Sequence, residues 1–121
     1  YGAKEGLATL KGILDTDEGS KYLGEVALVD NTSSIAKMNF LFKNTLLDEN
    51  SSCHLALGVG FMECRKNGYS MSEEELHKSV NHSINHVDFF IGTNDLNITA
   101  TLRNKKEIVI MENGLFKGEM R

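Results

Sequence analysis

Residues 86–91 read HVDFFI. Aromatic and β-branched residues dominate the run, and such residues suit a pleated, half-buried surface, so a buried strand is predicted over Val87–Ile91. Side chains two apart on a strand point the same way. His86 and Asp88 therefore present an imidazole nitrogen and a carboxylate oxygen side by side, while Val87 and Phe89 point to the opposite face and anchor the strand. That donor pair suits a divalent metal. The competing structural reading is a strand-end histidine hydrogen-bonded to a surface aspartate.

Working outward toward the C-terminus, LNITATL (96–102) and EIVIM (107–111) flank the turn residues RNKK, and the pattern predicts a β-hairpin. The polar tail from Lys117 is expected to fray. Toward the N-terminus, Ser72-Glu73-Glu74-Glu75 is a capping box, serine at the N-cap and glutamate at N3, so a short helix is predicted to run to about Val80. The block from Asn50 to Gly58 has helical composition, with Asn50 or Ser51 as its cap. MNFLFKNTLL (38–47) predicts a second strand or extended segment, and DNTSS (30–34) a turn. EVALV (25–29) predicts a strand with Glu25 as its first residue. Ala3, Leu7, Leu10 and Leu14 fall at helical spacing in residues 3–14, and a second short helix is expected over 17–22, ending near Gly24. The sum is an α+β (or α/β) fold: a mixed sheet of about five strands, three or four short helices and a C-terminal β-hairpin.

The 121 residues are expected to form a single domain, 1–121. An apolar fraction of 40% and a charged fraction of 25% describe an ordinary globular chain. Net charge is −4 with no long single-sign run, so no basic face for nucleic acid is expected. No stretch approaches the roughly 18 apolar residues of a membrane span. Two cysteines, Cys53 and Cys64, are too few for a disulfide-stapled secreted domain, and a reducing, cytoplasmic compartment is expected. The chain starts at Tyr1 without an initiator methionine, as expected of a piece cut from something longer, and N-terminal processing would look the same.

Other polar residues are candidates to join His86 and Asp88. Glu49 and His54 stand five apart, which is not a one-face helical pair. They converge only if Glu49 ends the preceding segment while His54 sits in the first helical turns. Asp48 reads as a solvated charge, and Glu25 alone reads the same way. His77 and His82 look exposed and receive no role. Cys53 beside His54 raises the idea of a thiol nucleophile with a base, but helix neighbours point apart, and a small buried hydrophobe is the better reading. The residues thus offer a shell of three carboxylates and two histidines. Such carboxylate-rich shells can hold two neighbouring ions that activate water and polarise a carbonyl.

GEVALV with Glu25, NTLLDENSSCHLALG (44–58) and HVDFFIGTNDLNI (86–98) resemble the C-terminal part of the thermophilic-type metalloaminopeptidases. The similarity is collinear from Gly19 to about Gly114. It implies that Glu25, Glu49, His54, His86 and Asp88 lie at or near a metal centre, with Glu25 or Glu49 also serving as catalytic proton shuttle. It implies divalent cofactors (Zn, Co or Mn), two per complete active site, peptide substrates and a homodimer. Two departures accompany it. Similar enzymes carry a further ligating glutamate upstream, within a large N-terminal portion. They also commonly have a tyrosine seven residues after the histidine matched by His54, where this chain has Phe61. A phenyl ring cannot donate to a developing oxyanion; Tyr69 is the one substitute in view.

The expected function is therefore metal-dependent release of N-terminal residues from peptides through a metal-activated water, with this chain the C-terminal metal-binding portion and inactive in isolation. The alternative is a non-catalytic interaction or dimerisation domain that keeps the peptidase fold.

Overall fold

The computed structural model describes residues 4–118. They fall into two compact units: residues up to Val26 together with Leu55–Phe89, and Ala27–His54 together with the residues from Phe90 onward. The class is α+β, as the sequence predicts. Among the described residues there are two three-stranded sheets and a few short helices, rather than the one mixed sheet expected.

In the first unit, helix α1 (Leu7–Leu14) follows Gly6, whose left-handed backbone (φ 70) turns the chain into the helix. Leu14 is its buried anchor. Ala3, the first position of the predicted helical stripe, lies outside the described residues. The helix expected over 17–22 is a single 3-10 turn, Gly19–Lys21. Asp17 explains this: its carboxylate accepts the Ser20 N–H (2.8 Å) and hydroxyl (2.9 Å), a side-chain alternative to helical bonding. The same carboxylate accepts from the Ile84 N–H and the Ser83 hydroxyl. Asn85 donates its side-chain amide to the Ile13 carbonyl and the Ser20 hydroxyl. Ser20 and Ser83 are buried, so this network satisfies polar groups that would otherwise destabilise the unit.

The first sheet has the order β1 (Leu23–Ala27), β2 (His54–Gly58), β3 (His86–Phe90). Two glycines allow the close approach. A Cβ on Gly24 would fall 2.3 Å from the carbonyl oxygens of both Gly58 and Val59. Gly58 itself sits at φ +103, with a Cβ 2.0 Å from the Asn85 carbonyl. The Asn81 amide then donates to the Gly58 and Gly19 carbonyls at 2.6 and 2.8 Å. Helix α4 (Glu73–His77) carries both halves of the predicted capping box. It stops short of Val80, although the Ser79 and Val80 N–H groups still bond the Leu76 carbonyl.

The helix expected within 50–58 is not formed. A 3-10 turn, Glu49–Ser51, leads into strand β2, where His54, Ala56 and Gly58 are buried and Leu55 and Leu57 are half-buried. That alternation is a strand's period of two. His54 consequently sits on a strand, not in helical turns.

The second unit departs from expectation at two places. The turn cluster leads straight into helix α2 (Ser34–Met38), capped by the Ser33 hydroxyl, which accepts the Ala36 N–H. The strand expected over 38–47 is absent: Asn39 and Lys43 take left-handed backbones, and helix α3 (Thr45–Asp48) follows. Asp48 is the cause. Its carboxylate accepts the N–H groups of Phe42 (2.8 Å) and Asn44 (3.0 Å), donors that a strand would direct to a neighbour. Asp48 is therefore a structural clamp rather than a solvated charge.

The predicted hairpin is present. Strands β4 (Ile98–Thr101) and β5 (Glu107–Glu112) pair antiparallel, with Thr101 opposite Glu107, and a short β6 (Leu115–Phe116) extends the sheet. Met111 and Cys53 form this unit's buried centre, their sulfurs 3.8 Å apart. The Cys53 thiol also bonds the backbone of Val29, so its role is that of a small core residue.

Candidate metal centre

Glu25 lies in the middle of β1, not at its start; Gly24, which looks like a terminator, is a required position inside the strand. His86 opens β3, and Asp88 follows on the same face. Glu25, His86 and Asp88 each contribute one ligand atom to a set lying within 4.8 Å of one another, and this is the only such group of three among the described residues. His86 Nε2 is 3.1 Å from Glu25 Oε2 and 3.4 Å from Asp88 Oδ1. The three side chains are largely enclosed, at 24%, 22% and 13% exposure for Glu25, His86 and Asp88.

The tautomer of His86 follows from its other nitrogen. Nδ1 stands 2.8 Å from the Val59 carbonyl oxygen. A carbonyl only accepts, so Nδ1 carries the proton. In the neutral ring, Nε2 then directs a lone pair at two carboxylate oxygens. The three electron-rich atoms facing one another are reconciled by a shared proton or by a metal ion. Asp88 Oδ1 is moreover buried and has no hydrogen-bond partner. An orphaned carboxylate oxygen, a second carboxylate and an imidazole held by a backbone carbonyl form a donor set that fits a divalent ion. The Phe61 ring packs against His86 at a centroid distance of 5.0 Å and a 52° tilt, which limits rotation of the imidazole.

The other expected ligands, His54 and Glu49, belong to the second unit. His54 is buried, its Nδ1 3.0 Å from the Ser52 carbonyl and its ring edge-on to Phe90. Glu49 lies in the 3-10 turn, half-buried, and accepts a long hydrogen bond from the Asn50 amide. Tyr69, the suggested substitute for a catalytic tyrosine, is an exposed residue whose hydroxyl donates to Glu63, a bond that also raises its pKa. Two contributors escaped the sequence reading. Val59 acts through its backbone oxygen, which leaves no residue-type signal, and Phe61 acts by packing.

A carboxylate–histidine–carboxylate cluster on the two outer strands of a three-stranded sheet in an α+β fold defines a candidate metalloprotein. The model of the thermophilic metalloprotease (M29) family matches residues 1–116, and the chain belongs to that family. It is 46% identical over 121 residues to Aminopeptidase 2 of Geobacillus stearothermophilus, covering 99% of this chain and 29% of that protein. It is 50% identical over 113 residues to Aminopeptidase AmpS of Bacillus subtilis (strain 168), covering 93% and 28%. The solved structure of wild-type AmpT from Thermus thermophilus superposes with a TM-score of 0.80 at 36% identity, covering 94% of this chain and 28% of that one. The chain thus spans under a third of the length of these relatives. Membership in a metalloprotease family implies a divalent metal. No helix of the described residues is long and apolar enough to cross a membrane.

Proposed function

We propose that this chain is the metal-binding portion of an aminopeptidase that releases N-terminal residues from peptides. The observation that carries the reading is the convergence of His86 Nε2, Glu25 and the buried, unsatisfied Asp88 oxygen. Glu25, His86 and Asp88 hold the ion, for which zinc, cobalt and manganese are the candidates. When bound, such an ion supplies Lewis acidity, polarising a peptide carbonyl and activating water. The chain's own residues do the rest. Val59 fixes the His86 tautomer, Phe61 restrains its ring, and Glu25 moves a proton between water and the leaving amine. The ligand roles of Glu49 and His54, the alternative assignment of the proton shuttle to Glu49, a second ion and a homodimer rest on the family resemblance alone.

Phe61 supplies no hydroxyl toward an oxyanion, so this chain lacks the donor that the resemblance places there. Calorimetric titration with zinc, cobalt and manganese tests the proposal. Loss of the tightest binding event in Asp88→Ala supports it; a titration indifferent to that substitution overturns it.

A second reading, a non-catalytic interaction domain that keeps the peptidase fold, draws on the large apolar side chains left exposed, among them Phe40, Leu41 and Leu46 at 67%, 67% and 74%. Self-association unaffected by chelator, with no metal binding, would favour it.

A further inference from the structure

His77 closes helix α4, and His82 lies in the loop that follows. Their rings stand 4.2 Å apart between centroids at a 51° tilt. Neither ring makes a hydrogen bond or ion pair among the described residues, so the contact is not explained by polar satisfaction within the protein. Both border a cavity of about 240 Å³ whose wall includes Leu76 and Val80. Glu73 borders the same cavity. It stands four residues before His77, a spacing that places both on one helix face.

Two imidazoles in ring contact at a five-residue separation offer two nitrogen donors close to one another. Imidazole suits copper, nickel and zinc, whereas carboxylate and carbonyl oxygens suit magnesium, calcium and manganese. The nearby Glu73 carboxylate adds negative potential without supplying a third close donor. Affinity for a nitrogen site rises to copper(II) along the first-row series.

We propose that His77 and His82 form a second cation site, a two-imidazole site for a borderline divalent ion, with copper(II) the tightest-binding member and zinc(II) weaker. It is separate in composition from the Glu25–His86–Asp88 cluster and does not depend on the function proposed for that cluster. Solvent completes the coordination, and Glu73 provides charge compensation.

The test uses copper(II) itself, added to the whole chain and followed by equilibrium dialysis and electron paramagnetic resonance. Four proteins are compared: the unsubstituted chain, Asp88→Asn, His77→Gln/His82→Gln, and Glu73→Gln. All substituted side chains but Asp88 are exposed, and circular dichroism confirms that each variant keeps its fold. The expected result is a copper equivalent with two-nitrogen hyperfine structure, over and above any held by the Glu25–His86–Asp88 cluster, that persists in Asp88→Asn and is lost in His77→Gln/His82→Gln. Glu73→Gln weakens binding but keeps the nitrogen signature. Unchanged stoichiometry and hyperfine structure in the double histidine variant would overturn the proposal. So would loss of all bound copper in Asp88→Asn alone.

Discussion

Glu25 Oε2 and His86 Nε2 stand 3.1 Å apart, although 61 residues separate them in the chain. With His86 Nδ1 committed to the Val59 carbonyl, Nε2 faces Glu25 and Asp88 in an arrangement that suits a cation. Replacing Glu25 with glutamine substitutes a neutral amide for one ligand and removes one negative charge. Glu25→Gln is expected to weaken zinc binding by about 10-fold or more without unfolding the chain. Calorimetry read beside thermal melting separates the two effects. Equal affinity in the variant would remove Glu25 from the centre.

Metal removal has its own signature. A ligand that binds only the folded state stabilises it by RT ln(1 + [L]/Kd), about 2.7 kcal/mol at one hundred times Kd. Saturating zinc is therefore expected to raise the midpoint of urea unfolding, and excess chelator to return it to the metal-free value. The same titration on Asp88→Ala should show a much smaller shift, that of the weaker His77–His82 site alone.

Acid stability should depend on Asp17. The Ile84 N–H is the largest influence holding its carboxyl at about 2, with bonds from Ser20 and Ser83 adding to it and partial desolvation opposing it. A carboxyl whose folded pKa lies below its unfolded value near 3.8 releases its proton more readily in the folded state. Its contribution is fully present above that unfolded value and disappears as pH falls from there toward about 2. Asp17→Asn is expected to lower stability at neutral pH and to flatten the pH dependence across that window, as read by urea unfolding at a series of pH values. Parallel profiles for the two proteins would show that the network does not act as described.

Gly58 joins the fold to the centre. Its φ of +103 disfavours any side chain, and a Cβ there would meet the Asn85 carbonyl at 2.0 Å, one residue before His86. Gly58→Ala is expected to destabilise the chain by more than about 1 kcal/mol and to weaken metal binding as β3 shifts. The capping box supplies a control remote from the metal ligands in sequence. Ser72→Ala removes the acceptor for the Glu75 N–H and should cost about 1 kcal/mol while leaving zinc affinity unchanged.

Local patterns with a stereochemical cause were readable from the sequence. Ser72 with Glu75 marked the start of α4, the apolar runs around RNKK marked the β4–β5 hairpin, and two-residue spacing put His86 and Asp88 on one face. What escaped depended on partners distant in sequence. Cys53-His54-Leu55-Ala56-Leu57 has helix-forming residues, yet packing imposes a strand on it. Phe40 and Phe42 look like strand residues, but Asp48 takes the Phe42 and Asn44 N–H groups and bends the segment. Gly24 reads as a stop signal, and only the closeness of Gly58 and Val59 shows why a glycine is needed inside β1. The meeting of Glu25 with His86 is likewise tertiary and invisible to spacing, and only the family resemblance anticipated it.

The uncovered greasy side chains have a practical corollary. Val26 and Ile84 in the first unit, and Phe40, Leu41 and Leu46 in the second, are each at least 65% exposed. Water wets such patches poorly, so the isolated polypeptide should cling to itself, to vessel walls and to chaperones as its concentration rises. Light scattering over a dilution series would reveal this, and mild detergent or co-purifying polypeptide would be expected to keep it monodisperse.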